Sequence, residues 1–162
     1  MIKKAFVIFV VMLNIGCDQL SKELVRSGVE KRAYIELIDE YFILTKVENT
    51  GAMLGLGQNL PPILKIVFLQ GLPILVLAII LIRILKKSSM DFRMMLAFAF
   101  VIGGGIGNLI DRIAHGSVTD FFQIKLGFLK TGIFNMADVS VTLGILMLLL
   151  FSFTNKKEKS HA

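Results

Sequence analysis

Four acids stand inside or beside long apolar stretches of this chain: Asp18, Asp111, Asp120 and Asp138. An ionisable group at membrane depth costs roughly 2.5–3.5 kcal/mol on insertion scales, and it faces a bundle interior or a water-filled pocket. Asp18 has Lys22 one helical turn on, and Arg112 is at hand for Asp111 or Asp120, so ion pairs that fix helix packing would account for some of this charge. Asp120 and Asp138 have no adjacent cation in the sequence. Two carboxylates brought within a few ångströms cannot both ionise easily; they share a proton and titrate as a pair. One member then takes a proton from an attacking water while the other polarises a carbonyl and protonates the leaving amine. That chemistry calls for no metal and no cofactor. Which acid plays which part is open at this stage.

Each acid also has a plainer reading. In Phe134-Asn135-Met136-Ala137-Asp138, Asn135 is placed to cap a helix and Asp138 falls at its third position, a capping-box arrangement that the helix dipole favours. Asp120 follows Gly116-Ser117-Val118-Thr119 and would serve as a turn acid, although Phe121-Phe122 argues for a place at the membrane surface. Asn108 and Asn135 are suited to orient an acid or a peptide through their amides. Arg112 is expected to pair with Asp111, a backbone carbonyl or lipid phosphate, because a cation beside the dyad would hold both acids ionised. Other proteolytic chemistries lack their parts. There is no His-Glu-x-x-His; His115 and His161 read as isolated, solvated side chains in a loop and in the tail. Ser21 and Lys22 point apart on one helix, and the lone Cys17 reads as packing.

The elements that must position these groups follow from composition. Of 162 residues, 55% are hydrophobic and 19% charged, and mean hydropathy is +0.75, which is more apolar than a soluble domain. Crossing a bilayer takes about 20 apolar residues. Residues 62–85, 92–113 and 136–154 supply three such spans. The fourth needs residues 4–25, with Asn14, Asp18, Ser21 and Lys22 on one face at helical spacing. A competing reading makes Lys3-Lys4, the apolar run and Gly16-Cys17 a cleavable lipoprotein leader; Asn14, three before the cysteine, and the three later spans weigh against it. The expected fold is an all-α, four-span membrane bundle forming one domain, residues 1–162.

Half of the 18 Lys and Arg lie in Met1–Lys4, Arg83–Arg93 and Asn155–Ala162, which places both termini in the cytoplasm. Membrane topology thus accounts for the net charge of +6, and nothing suggests nucleic acid as a partner. Asn155–Ala162 reads as a short disordered tail. The outer loops are then 26–61 and 114–134. Ala33–Ile38 and Tyr41–Val47 suggest a small strand pair between the first two spans, leading to the Asn49-Thr50-Gly51 turn; Val118–Phe128 suggests a further strand or interfacial segment. Gly51 and its neighbours are expected to form a flap. Gly103 and Gly107 are spaced for close helix approach. With 1.5 Å of rise per residue, Asp18, Asn108 and Asp138 lie about 21, 24 and 24 Å above the cytoplasmic edge, so three spans bring polar groups to one depth.

Asp18-Gln19-Leu20-Ser21-Lys22, Glu48-Asn49-Thr50-Gly51-Ala52, Gly104–Asp120 and Phe134–Asp138 together resemble, in order and over nearly the whole chain, the blocks of bacterial lipoprotein signal peptidase (signal peptidase II). Met53 and Met136 depart from the residues common there, and neither touches a proposed catalytic group. The resemblance implies an intramembrane aspartyl peptidase of the bacterial cytoplasmic membrane, acting near its outer face. It implies Asp120 and Asp138 as catalytic dyad, with Asp18, Lys22, Asn49, Gly51, Gly104, Asn108, Asp111, Arg112, Asn135 and Ala137 shaping the site. The implied substrate is a prolipoprotein carrying diacylglyceryl on its cysteine, cut just before that residue; apart from the resemblance, membrane lipids are the other expected partner and a monomer the expected state. A proton- or cation-coupled transporter is the alternative, although its acids would have to cross the bilayer rather than gather at one face.

Overall fold

A computed structural model describes residues 2–86 and 90–160, those from 154 on as backbone only. The four apolar stretches form helices α1 (Ile2–Gly28), α2 (Pro62–Lys86), α3 (Phe92–His115) and α4 (Met136–Ser160), each long and apolar enough to cross a membrane. In α4 the apolar part is Met136–Phe153. The helix nevertheless continues through Ser160, so most of the expected disordered tail is helical; Lys87 and His161 lie outside the described residues. α1 also runs past its expected end at Val25.

Local chemistry sets the boundaries. Pro62 opens α2, where its fixed φ is pre-organised for the first turn. A π-helical turn follows at Ile66–Gly71. Asp91 caps α3 by accepting from the Arg93 N–H at 2.9 Å. Gly116, at φ 73°, ends α3 in the left-handed conformation that a Cβ disfavours, and β3 (Val118–Leu126) starts two residues on. His115 is thus the last residue of a helix rather than part of a loop.

The expected strand pair forms as β1 (Ile35–Ile38) and β2 (Phe42–Asn49), antiparallel. The sheet extends beyond the first outer loop: β3 pairs with β2, β4 (Leu129–Lys130) with β3, and the order is β1-β2-β3-β4. It therefore joins the loop between α1 and α2 to the loop between α3 and α4. Its register sets Val47 opposite Asp120 and Asn49 opposite Val118.

The bundle centres on α3, whose glycines admit three neighbours. A Cβ at Gly103 would lie 2.6 Å from the Asn14 Cβ of α1, one at Gly105 2.9 Å from Leu77 of α2, and one at Gly104 would collide with the Ala137 carbonyl of α4. Apolar packing continues below in Val7, Val10, Ile84, Met95, Ala99 and Ile102. α2 stands at the edge, with Ile84 its one buried residue. Cys17, expected to pack, is exposed, because one residue of helix turns it away from the buried face carrying Asp18.

Candidate active site

Asp120 is the third residue of a strand whose first four residues are all buried. Asp138 occupies the first turn of α4 in a reciprocal cap. Its N–H donates to Asn135 Oδ1 at 3.0 Å, and the Asn135 N–H donates to Asp138 Oδ2 at 3.2 Å, the capping box that the spacing suggests. The cap does more than close a helix. Asn135, fully buried, sends its Nδ2 to Asp120 Oδ1 at 2.6 Å and to Asn108 Oδ1 at 3.1 Å. Asn108 Nδ2 in turn donates to Asp138 Oδ1 at 2.8 Å. Two amides therefore bridge the two acids, from β3 through α4 and α3 and back to α4.

Asn49, at the end of β2, completes the set. Its Nδ2 donates to Asp120 Oδ2 at 3.0 Å and to the Ala52 carbonyl, while its Oδ1 accepts from the Gly51 N–H at 2.9 Å. A Cβ on Gly51 would lie 2.6 Å from the Leu56 carbonyl oxygen, so this turn has no room for a side chain. Burial pushes the Asp120 carboxyl up to about 6; its bonds from Asn49 and Asn135 oppose that shift, and the nearby Asp138 charge adds to it.

Directly behind the acids lies a charge cluster with no exposed atoms. Lys22 Nζ donates to Asp18 Oδ2 at 2.7 Å and to Asn108 Oδ1 at 3.0 Å, and pairs with Asp111 Oδ2 at 3.2 Å; all three charged side chains are fully buried. Asp18 Oδ1 accepts the Ala137 N–H at 2.9 Å. Gly107 makes the approach possible, since a Cβ there would stand 2.5 Å from Asp18 Oδ2. Of the partners expected for Arg112, the structure selects backbone carbonyls: Gly51 at 3.0 Å and Asn108 at 3.5 Å. Asp111 pairs with Lys22 and with Arg26 at 2.9 Å instead, because neighbouring residues on a helix do not face one another.

Gln19, Arg26, Glu48 and Thr119 were not singled out by type and spacing, yet they complete this cluster. Gln19 Nε2 lies within 3.2 Å of both Asp18 and Asp111. Arg26 Nε donates to Thr119 Oγ1, which donates to Glu48, each at 2.9 Å. Extending the Asp18–Lys22 face by one turn would have found Arg26; the other three stand inside the blocks that carry the family resemblance but had no role assigned to them there.

Asp120, Asp138, Asn49, Asn108 and Arg112 line one cavity of about 480 Å³ whose remaining wall is largely apolar, including Leu54, Ile133, Val139 and Leu143. A few convergent polar groups in a concave apolar wall is the usual composition of a small-ligand or substrate site.

The family model described as signal peptidase (SPase) II matches residues 10–154. The chain belongs to the signal peptidase II family. It is 31% identical over 160 residues to a lipoprotein signal peptidase of Syntrophus aciditrophicus (strain SB), covering 98% of this chain and 99% of the relative. It is 38% identical over 146 residues to one of Brevibacillus brevis (strain 47), covering 89% and 92%. A solved bacterial membrane enzyme shares the fold with a TM-score of 0.85 over 96% of this chain and 92% of that one, at 24% identity. The protein is therefore a multi-pass membrane enzyme, an aspartic endopeptidase of the signal peptidase II type. All twelve positions singled out by the resemblance to signal peptidase II fall in or directly against the polar cluster, Gly104 through its contact with Ala137 and Ser140.

Proposed function

We propose that Asp120 and Asp138 are the catalytic dyad of this signal peptidase II, and that it cuts diacylglyceryl-modified prolipoproteins just before the lipidated cysteine. The observation that carries the reading is the bridge of Asn135 and Asn108 between two carboxylates that line one cavity. Each carboxylate accepts two N–H donors. Their orientation is thus fixed before substrate arrives, so little reorganisation accompanies the reaction.

In the proposed cycle the pair holds one proton, resting on Asp120. A lipid-bearing precursor covering the cavity removes water and strengthens the hold of that proton. Ionised Asp138 takes a proton from water as its oxygen attacks the scissile carbonyl. Asp120 donates a hydrogen bond to the developing oxyanion, and the leaving amine receives its proton from Asp138. The apolar wall of Val139 and Leu143 takes the acyl chains, with bilayer lipid as their continuation.

Topology follows from the distribution of Lys and Arg: both termini cytoplasmic, the sheet and dyad at the outer face of the cytoplasmic membrane. Exposed Tyr34, Tyr41 and Phe128 about the sheet, with the Lys125 ammonium over the Tyr34 ring, are the aromatic and basic groups that favour lipid headgroups. A monomer suffices, since both acids come from one chain.

Single Asp120→Asn and Asp138→Asn substitutions in the full-length enzyme, assayed on a lipidated precursor, test the reading. Each should lower kcat by about 1,000-fold or more without altering the helical content. Cleavage at the wild-type rate by both variants would refute it; ion flux in vesicles that depends on Asp18 would point to a transporter instead.

A further inference from the structure

We propose that the Lys22–Asp18 pair of α1 is the positioning device for Asp138, Lys22 by fixing the amide of Asn108 and Asp18 by holding the backbone of Ala137. The inference rests on the dyad reading above and adds a role for a helix that carries neither acid.

Lys22 ends in an ammonium with three N–H groups and no acceptor. Three oxygens meet them: Asp18 Oδ2, Asn108 Oδ1 and Asp111 Oδ2, at 2.7, 3.0 and 3.2 Å. A donor-only group with every hydrogen engaged dictates which end of the Asn108 amide faces it. Oδ1 must turn toward Lys22, and Nδ2 is left to aim at Asp138 Oδ1, 2.8 Å away. The amide nitrogen of Asn135 meets the same oxygen at 3.1 Å and enforces the same choice. A flipped amide would set nitrogen against two donors and oxygen against a carboxylate.

Asp18 acts on the other side of the same residue. Its Oδ1 accepts the N–H of Ala137 at 2.9 Å, one of the first-turn donors that a helix leaves without an internal partner. A carboxylate there is also favoured by the helix dipole. The position of Asp138 is thus set through its preceding peptide by Asp18 and through its side chain by Asn108 and Lys22. Asp18 reaches α4 from α1 past Gly107, where a Cβ would stand 2.5 Å from Asp18 Oδ2, while Lys22 acts from α1 through Asn108 of α3.

The test is a double-mutant cycle on the full-length enzyme with a lipidated precursor, using Lys22→Met, Asn108→Ala and the two combined. Lys22→Met should lower kcat by about 100-fold, the effect of a misplacement of about 1 Å, with KM within about threefold. If Lys22 acts through Asn108, the combined variant is no slower than Asn108→Ala alone. Factors that multiply, or a rise in KM with kcat kept, would overturn the proposal. Lys22→Met leaves Asp18 charged without its cation, so Asp18→Asn/Lys22→Met provides a version free of that burden and should show the same loss of kcat. If that variant retains kcat, or fails to fold where Asn108→Ala folds, the pair serves the fold alone and the proposal fails. In that case Asp120→Asn and Asp138→Asn still lose cleavage; only cleavage at the wild-type rate by both would sink the dyad itself.

Discussion

Asn135 Nδ2 donates to Asp120 Oδ1 at 2.6 Å from a residue that is itself the cap of the helix bearing Asp138. One side chain thus closes a helix and joins the two acids. The two duties are separable by substitution.

Serine caps a helix about as well as asparagine but is too short to reach Asp120. Asn135→Ser should therefore unfold within about 2 °C of the wild type while kcat falls about 100-fold. Asn135→Ala should lose the same activity and, in addition, about 1 kcal/mol of stability. Thermal unfolding in detergent beside a cleavage assay distinguishes these outcomes; equal stability of the two variants would remove the cap from the account.

The pH dependence follows from the Asp120 carboxyl, raised to about 6 chiefly by burial. Activity needs its proton, so kcat/KM of the free enzyme should fall as pH rises through about 6. Asn49 stabilises the ionised form; Asn49→Ala should therefore move that limb to higher pH, and a shift downward would contradict the geometry. The sign for stability is the reverse of that for an ion-paired acid. A raised pKa contributes stability that is complete below the unfolded value near 3.8 and is lost as pH rises through about 6. The unfolding temperature should decline across that window, and Asp120→Asn should flatten the decline.

Gly107→Ala should be costly despite the small change. The new methyl would meet Asp18 Oδ2 at 2.5 Å, and with α1 and α4 both pressed on α3 the neighbours have little room to yield. A loss of about 1–3 kcal/mol is expected from overpacking, visible as a lower unfolding temperature. Activity per folded molecule should fall as well.

Arg112→Lys should raise KM by roughly tenfold, the value of one charge-assisted hydrogen bond, with a smaller effect on kcat. The guanidinium reaches the Gly51 carbonyl at 3.0 Å and so ties the turn carrying Asn49 to α3, at one side of the cavity. Lysine lacks the planar fork. A change confined to kcat would instead place Arg112 among the groups acting on the reacting atoms.

The sequence carried the fold where the physics is local or one-dimensional. Span length, the polar face of α1 and the Asn135–Asp138 cap follow from composition and spacing, and depth counting brought Asp18, Asn108 and Asp138 to one level. What it could not carry is choice among partners at that level. Asp111 has Arg112 beside it in sequence but Lys22 and Arg26 in space, because helix geometry turns neighbours apart. Pairing of β2 with β3 depends on two loops about 70 residues apart coming together, as the Asn49–Asp120 bond does. No short window holds that information, and the bond between Glu48 and Thr119 became visible only with it.

α2 meets the other helices mainly along one edge: Ile84 in the core with Leu77 and Ile80 packed beside it, Leu77 against Gly105, Lys4 of α1 on the Leu85 carbonyl at 2.7 Å, and Gln70 reaching the Arg112 carbonyl at 3.4 Å from its π-helical turn. The acids, their amides and the buried charges all belong to the other three helices and the sheet. The second span is therefore the part of the molecule freest to lengthen, tilt or change composition with the thickness of the host bilayer, since none of the catalytic geometry is built on it.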